Sequence, residues 1–305
     1  MGVYVELLRI RQWIKNVAVL AALPFGWLEE EGLACSAAMA LAFGAFCVAS
    51  SAVYSFNDVL DRREDLLHPG KRNRPVARGA VSPSAALVFA ALLAGGAIAL
   101  SLLIADRRFA ACVGGYLVLM LAYSLFLKHE PILDVIIIAC GFVLRTMAGA
   151  IAVGVYISPW LVVCTFTLCL FLGFGKRRSE IYALNDADVA AQHRKTLTRY
   201  SADLLNQLLS TSAGVALVTF MLYIMGTETL PGQTVVFDKR PLLYTFPLVA
   251  YGLFRYAMLI ESGEVTGPTD IILKDRILLV VVVLWMATSA AIVLRDPIKT
   301  ILLGN

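Results

Sequence analysis

The chain has 305 residues, of which 59% are hydrophobic and 16% are charged, and its formal net charge is +4. So apolar a composition is typical of a polytopic membrane protein and excludes an ordinary soluble domain of this size. The six cysteines and three histidines lack metal-ligand spacing, and the chain contains no Walker loop, no GxSxG motif and no basic-aromatic face. Zinc sites, soluble NTPases, serine hydrolases and nucleic-acid binding therefore have no support.

Long apolar stretches predict nine membrane-spanning helices, each near the ~20 residues that cross the hydrocarbon. They cover residues 15–30, 33–56, 84–105, 109–127, 131–155, 159–175, 203–226, 241–260 and 277–295. We therefore expect an all-α, multi-pass helical bundle in the cell membrane, with cap loops and a single domain over residues 1–305. No small-residue cleavage pattern follows the first span, so we expect no cleavable signal peptide.

The charge pattern orients this bundle. With a cytoplasmic N-terminus, about 19 of the 26 Lys and Arg residues fall in or beside cytoplasmic connections and about 6 on the opposite side. The polar segments then share the cytoplasmic face, where we expect an active site. The opposite loops are short, which argues against an extracellular receptor.

The first charged segment, residues 54–82, follows the second predicted span. In a helix, Asp58, Asp61 and Asp65 fall at i, i+3 and i+7 on one face, with Asn57 one turn before Asp61. Stacked carboxylates repel one another unless cations lie between them, and hard oxygen ligands suit Mg²⁺ shared with phosphate oxygens. We predict a magnesium site at these four residues, with Asp58 and Asp61 catalytic.

Basic residues flank this acidic line on both sides. Lys71, Arg72 and Arg74 follow it and could bind the same phosphates, whereas Lys15 and Asn16 stand at the mouth of the first span. The alternative for the basic residues is ordinary positive charge at the cytoplasmic face.

The fifth predicted span carries two charged residues, Asp134 and Arg145. They are eleven residues apart, which is three helical turns or about 16 Å, so they lie on one face. An Arg at mid-membrane is turned toward protein or a wet cavity. It either forms a structural ion pair with another helix or binds an anion.

A second charged segment ends the sixth span and offers Lys176, Arg177 and Glu180. The next position on that helical face is Leu184, so the segment does not repeat the acidic line and suits phosphate better than a second metal. Near the last span, Asp275 and Arg276 stand at the membrane entrance and could face the same cavity.

These motifs resemble those of a known family. The Asn57-Asp58-x-x-Asp61-x-x-x-Asp65 pattern is similar to the first aspartate motif of the UbiA superfamily of intramembrane prenyltransferases. RxRQWxKN at 9–16, HPxKRxRPxAxG at 68–79 and GKRxxE at 175–180 resemble the polyprenyl-phosphate phosphoribosyltransferase branch. The matches spread over nearly the whole chain. Prenyl-diphosphate users of the superfamily carry a second DxxxD motif, from which the segment at 176–180 departs.

The resemblance implies a transferase, with Mg²⁺ as cofactor, that moves phosphoribose from 5-phosphoribosyl diphosphate to a polyprenyl phosphate lipid in cell wall biosynthesis. It implies roles in substrate binding for Lys15, Asn16, Lys71, Arg72, Arg74, Asp134, Arg145, Lys176, Arg177, Glu180, Asp275 and Arg276. A prenyltransferase that takes a prenyl diphosphate and an aromatic acceptor remains an alternative, as does a transporter, for which inverted repeats would be expected. The oligomeric state is open, and a homo-oligomer is one alternative.

Overall fold

A computed structural model describes residues 2–23, 32–67, 70–183, 199–226, 239–261 and 268–293. Within these ranges the chain is helical and contains no strand, which confirms the predicted all-α class. The chain divides into two compact units, Met1–Tyr156 and Ile157–Asn305. The predicted single domain over 1–305 stays a prediction.

The first unit is an assembly of α-helices and 3₁₀ helices packed through small residues. Its elements are α1 (Gly2–Leu8), the N-terminal 3₁₀ helix (Ile10–Ala22), α2 (Gly32–Leu60), α3 (Arg62–Leu67), α4 (Pro83–Ser101), α5 (Arg107–Leu125), a 3₁₀ turn (Leu127–His129) and α6 (Leu133–Ala152). Helix α2 packs along α4, α5 packs on α6, and the N-terminal 3₁₀ helix packs on both α2 and α6. Alanine, glycine and serine on α2 allow these close approaches.

The described elements of the second unit are also helical. They are α7 (Pro159–Ala183), α8 (Ala202–Met225), a 3₁₀ helix (Arg240–Thr245), α9 (Phe246–Glu261), α10 (Pro268–Lys274) and α11 (Arg276–Val293). Helix α7 packs along α8, and α9 packs against α11 and α7. Helix α7 continues beyond the predicted end of the sixth span at 175, so its charged residues lie on a rigid helix.

Eight helical segments among the described residues are long and apolar enough to cross a membrane, and they match the last eight predicted spans. The predicted first span, 15–30, begins in the N-terminal 3₁₀ helix, which ends at Ala22. Residues 24–30 of that span lie outside the described residues. The ninth crossing therefore stays a prediction.

Polar side chains fix where several helices begin. The Ser82 hydroxyl accepts a hydrogen bond from the backbone N–H of Ala85, and the Ser201 hydroxyl accepts one from the N–H of Leu204. Pro83 occupies the first turn of α4. At α11, the Asp275 carboxylate accepts from the Leu278 N–H at 2.7 Å. The pKa of Asp275 is held below its usual value by the hydrogen bond from Arg255 and then by the Leu278 N–H.

One close backbone approach locks the N-terminal segment onto the first unit. A Cβ built at Gly149 of α6 would overlap the backbone carbonyl of Val19 in the N-terminal 3₁₀ helix. A glycine is required there because the clashing atoms are backbone and cannot rotate away. This contact sets the position of Lys15 and Asn16 one turn earlier.

We expect Gly149→Ala to destabilise the protein by about 1–3 kcal/mol, because the added methyl must push the 3₁₀ helix off α6. Thermal unfolding in detergent measures the effect. Gly115→Ala is the matched control, since nothing lies within 4 Å of a Cβ at Gly115 in α5. Equal melting temperatures for the two variants would show that the close approach does not exist.

We expect Asp275→Ala to lower the melting temperature, because the change removes the cap of α11 and strands Arg255, whose Nη2 donates to Asp275 at 2.8 Å. Arg276→Ala is the control, since its side chain is exposed. A substrate role for Asp275 would instead appear as lost activity at unchanged stability.

Candidate active site

The three aspartates stand where two helices of the first unit join. Helix α2 ends at Leu60 and α3 begins at Arg62, but helical hydrogen bonding continues across the junction. The Asp61 N–H donates to the Asn57 carbonyl at 2.9 Å, and the Asp65 N–H donates to the Asp61 carbonyl at 2.8 Å. The predicted helical spacing is therefore preserved although Asp61 itself lies in a turn.

Basic side chains from distant parts of the chain pair with these carboxylates. Arg9 donates to Asp58, and Arg74 contacts both Asp58 at 3.4 Å and Asp65 at 2.6 Å. Because one guanidinium reaches both carboxylates, Asp58 and Asp65 lie on one side, as predicted. We call Arg9, Asp58, Asp65 and Arg74 the ion-pair cluster.

Asp61 has a separate partner at the edge of this cluster. The Lys128 ammonium, from the 3₁₀ turn between α5 and α6, donates to Asp61 Oδ1 at 2.5 Å. The Lys128 side chain is only 10% exposed, against 21% for Asp61. Asp61 is therefore the more accessible of the three carboxylates, whereas Asp58 and Asp65 are buried.

The donor set suits a hard cation. Asn57 Oδ1 and Asp58 Oδ2 are both buried without a hydrogen-bond partner, and a buried unpaired acceptor costs free energy until it finds a donor or a metal. Amide and carboxylate oxygens are the ligands that Mg²⁺ accepts. Across the described ranges, no three His, Cys, Asp or Glu side chains already form a metal cluster, and the Arg74 guanidinium contacts both Asp58 and Asp65.

Arg145 is buried in the first unit and bonds only to neutral acceptors among the described residues. Its Nε donates to Asn16 Oδ1 at 2.8 Å, its Nη2 to the Tyr116 hydroxyl at 2.8 Å and its Nη1 to the Gly141 carbonyl at 3.0 Å. The guanidinium also stacks over the Tyr116 ring, 4.5 Å from the centroid. Among these residues no carboxylate pairs with Arg145, so the alternative of a structural ion pair has no support there.

The other predicted residues of the first unit divide by exposure. Asp134 is fully buried at the start of α6, and Lys71 is half-buried, whereas the Arg72 side chain is exposed. Asp134 and Lys71 each have a partner. The predicted position of Asp134 and Arg145 on one buried side of α6 is consistent with the burial of both.

In the second unit, the charged end of α7 is internally paired. Glu180 binds Arg177 Nη1 at 2.6 Å and lies 3.7 Å from Lys176 Nζ. Arg177 is buried and Lys176 is exposed. One carboxylate with two cations leaves this helix end with a net positive charge. The preference for phosphate over a second metal stays a prediction. The neighbouring segment 184–198 lies outside the described residues.

Sequence reasoning missed two functional candidates, Arg9 and Lys128, because each is a single basic residue among the many in the charged connections between predicted spans. Arg9 has left-handed backbone, with φ 49° and ψ 51°, a conformation that is costly for residues other than glycine. This conformation ends α1 and turns the chain toward Asp58. Burial lowers the pKa of the Arg9 guanidinium, and the Asp58 carboxylate opposes that shift.

Known proteins resemble this chain over most of its length. The profile of the UbiA prenyltransferase family matches residues 18–274. The decaprenyl-phosphate phosphoribosyltransferase of Corynebacterium glutamicum is 34% identical over 286 residues, covering 92% of this chain and 84% of that protein. The protein of the same name from Mycolicibacterium smegmatis is 31% identical over 293 residues, covering 94% and 91%. These similarities confirm the prediction of an enzyme of the transferase class.

Solved structures show the same fold. A UbiA homolog from Archaeoglobus fulgidus bound to DMAPP and Mg²⁺ matches with a TM-score of 0.72 at 18% identity, covering 95% of this chain and 98% of that chain. The same homolog bound to GPP and Mg²⁺ matches with a TM-score of 0.71 at 19% identity, covering 95% and 99%. Together with the family profile, these matches show that this chain is a multi-pass membrane protein that belongs to the UbiA prenyltransferase family.

Proposed function

We propose that this protein transfers 5-phosphoribose from 5-phosphoribosyl diphosphate to a polyprenyl monophosphate and releases diphosphate. The observation that carries this proposal is the near-full-length similarity to proteins named decaprenyl-phosphate phosphoribosyltransferase. The charge pattern supports a plasma-membrane protein whose active site faces the cytoplasm, where the water-soluble donor is available.

The ion-pair cluster supports the donor half of the reaction. Asn57 and Asp58 would hold Mg²⁺ through their unpaired oxygens, with Asp61 and Asp65 completing the set of carboxylates. The metal would supply charge neutralisation for the diphosphate as it leaves and C1 of the ribose becomes oxocarbenium-like. Arg74, which already spans Asp58 and Asp65, stands where a guanidinium could also reach a phosphate oxygen.

The acceptor half needs little acid–base help. A phosphate monoester has its second pKa at about 6, so the acceptor oxygen is largely ionised at pH 7. It attacks C1 and forms the new C–O bond, while the bond from C1 to the diphosphate oxygen breaks and its electron pair leaves with the diphosphate. Positioning two anions against one another is then the main task of the basic residues.

The end of α7 supports this donor over a prenyl diphosphate. A second acidic motif would supply two carboxylates there, whereas Glu180 is the single acid and is paired with Arg177. The alternative is a prenyl-diphosphate donor, since a UbiA homolog from Archaeoglobus fulgidus was solved bound to DMAPP and to GPP. A transfer assay distinguishes the two donors.

With purified protein, Mg²⁺ and radiolabelled phosphoribosyl diphosphate, we expect label to enter the lipid extract when polyprenyl phosphate is present. We expect no prenylation of a hydroxybenzoate from a prenyl diphosphate, because the positive end of α7 lacks a second metal site. Omitting the lipid and adding EDTA are the controls. Prenylation of the hydroxybenzoate without phosphoribosyl transfer would establish the alternative function.

We expect Asp58→Ala to reduce turnover by at least a hundredfold at saturating Mg²⁺, because it removes a ligand whose charge holds the metal and the diphosphate. Glu64→Ala is the matched control, an exposed carboxylate on α3. A second measurement is the Mg²⁺-dependent rise in melting temperature with the donor present, which Asp58→Ala should lose and Glu64→Ala should keep. Wild-type turnover in Asp58→Ala would remove this residue from the metal site.

A further inference from the structure

Two cationic side chains of the first unit lie against the ring of Tyr54, one helical turn before Asp58 on α2. A third, Arg145, donates a hydrogen bond to Asn16, the residue after Lys15. The Arg9 guanidinium lies 5.2 Å and the Lys15 ammonium 5.9 Å from the ring centroid. Arg145 is close enough to act electrostatically on both Tyr54 and Lys15. Only Arg9 has a carboxylate partner among the described residues, which leaves Lys15 and Arg145 without a counter-charge there.

Lys15 is held in this position by its neighbours in the chain. The Trp13 indole donates to the Ser51 hydroxyl at 3.0 Å, and the Asn16 amide donates to the Ser50 hydroxyl at 3.1 Å. Both bonds fix the N-terminal 3₁₀ helix on α2. Asn16 also accepts from Arg145, so the same residue fixes the Lys15 backbone and orients the guanidinium.

The Lys15 ammonium has N–H donors that the described residues do not use. It has three N–H donors, and among the described residues it lies against the Tyr54 ring and forms no hydrogen bond or ion pair. Its side chain is exposed. Arg145 uses three of its five N–H groups on neutral acceptors. Holding like charges near one another costs free energy, and an anion between Lys15 and Arg145 would remove that cost.

We propose that Lys15 and Arg145 form the binding site for the phosphate of the acceptor lipid, a long-chain isoprenyl monophosphate. This assignment rests on the proposed function and deepens it by giving the two anionic substrates different sites. A monoester phosphate carries a charge of about −1.5 to −2 at pH 7, which matches the two cations without a metal.

The surroundings favour the lipid over the donor at this site. Ile14 and Val17, close to Lys15 in the chain, are 56% and 46% exposed, so the same 3₁₀ helix offers apolar surface for an isoprenyl tail. The unpaired oxygens that suit Mg²⁺ belong to Asn57 and Asp58, and Asp58 is four residues or about 6 Å along α2 from Tyr54. That spacing leaves room for a ribose between an acceptor phosphate and a metal-bound diphosphate.

Binding of geranylgeranyl monophosphate to the purified full chain in detergent, with EDTA and without donor, tests this site apart from catalysis. We expect Lys15→Gln to weaken the Kd at least tenfold, because one charge-assisted contact is lost. Arg11→Gln, which removes an exposed charge from the same 3₁₀ helix, should bind like the wild type. Arg145→Lys should also weaken binding, because the guanidinium fork is lost.

The proposal fails if the wild type does not bind the monophosphate, or if Lys15→Gln and Arg11→Gln bind it equally well. Geranylgeraniol, which lacks the phosphate, should bind the wild type and Lys15→Gln with one affinity, and a difference would contradict a phosphate contact. In the transfer assay, Lys15→Gln should raise KM for the lipid and leave KM for phosphoribosyl diphosphate unchanged. If no phosphoribose is transferred but the binding difference persists, the proposed function fails and the lipid-phosphate site stands.

Discussion

The pairing of Asp58 and Asp65 with Arg9 and Arg74 is the interaction on which the first unit depends. Both carboxylates are almost fully buried, and a buried charge without a partner costs several kcal/mol. Arg9 comes from the segment before α2 and Arg74 from the loop after α3, so the ion pairs tie both segments to the end of α2. An apolar contact of Leu7 with Val76 and Val81 supports the same arrangement.

This cluster is balanced, with two arginines against two aspartates. A further divalent cation would upset the balance unless it arrived with an anion, and a magnesium diphosphate does carry one. Two buried oxygens, Asn57 Oδ1 and Asp58 Oδ2, have no hydrogen-bond partner. Coordinating the metal of such a complex would stabilise these two oxygens most. Under the proposed function, metal and donor would therefore bind together rather than in sequence.

The site proposed for the lipid phosphate, at Lys15 and Arg145, is different in kind. Arg145 is buried among neutral acceptors, and its ring contacts with Tyr116 and Phe142 partly replace a carboxylate, which the described residues do not supply to it. Such an arrangement keeps a positive charge available inside an apolar helical unit. Two neighbouring sites, one rich in oxygen ligands and one in cations, suit a reaction that joins two anionic substrates.

The sequence by itself determined the helices and the acidic line. Apolar length predicted nine spans, eight of which match long apolar helices among the described residues. The i, i+3, i+7 spacing placed the aspartates at one helix end, because both properties depend on residues close in the chain. The partners of those residues could not be predicted in this way. Arg9 is 49 positions from Asp58, Lys128 is 67 from Asp61, and Asn16 is 129 from Arg145. Which basic residue meets which acid, and that Arg145 meets none among the described residues, depends on how helices pack, and only the tertiary structure decided it.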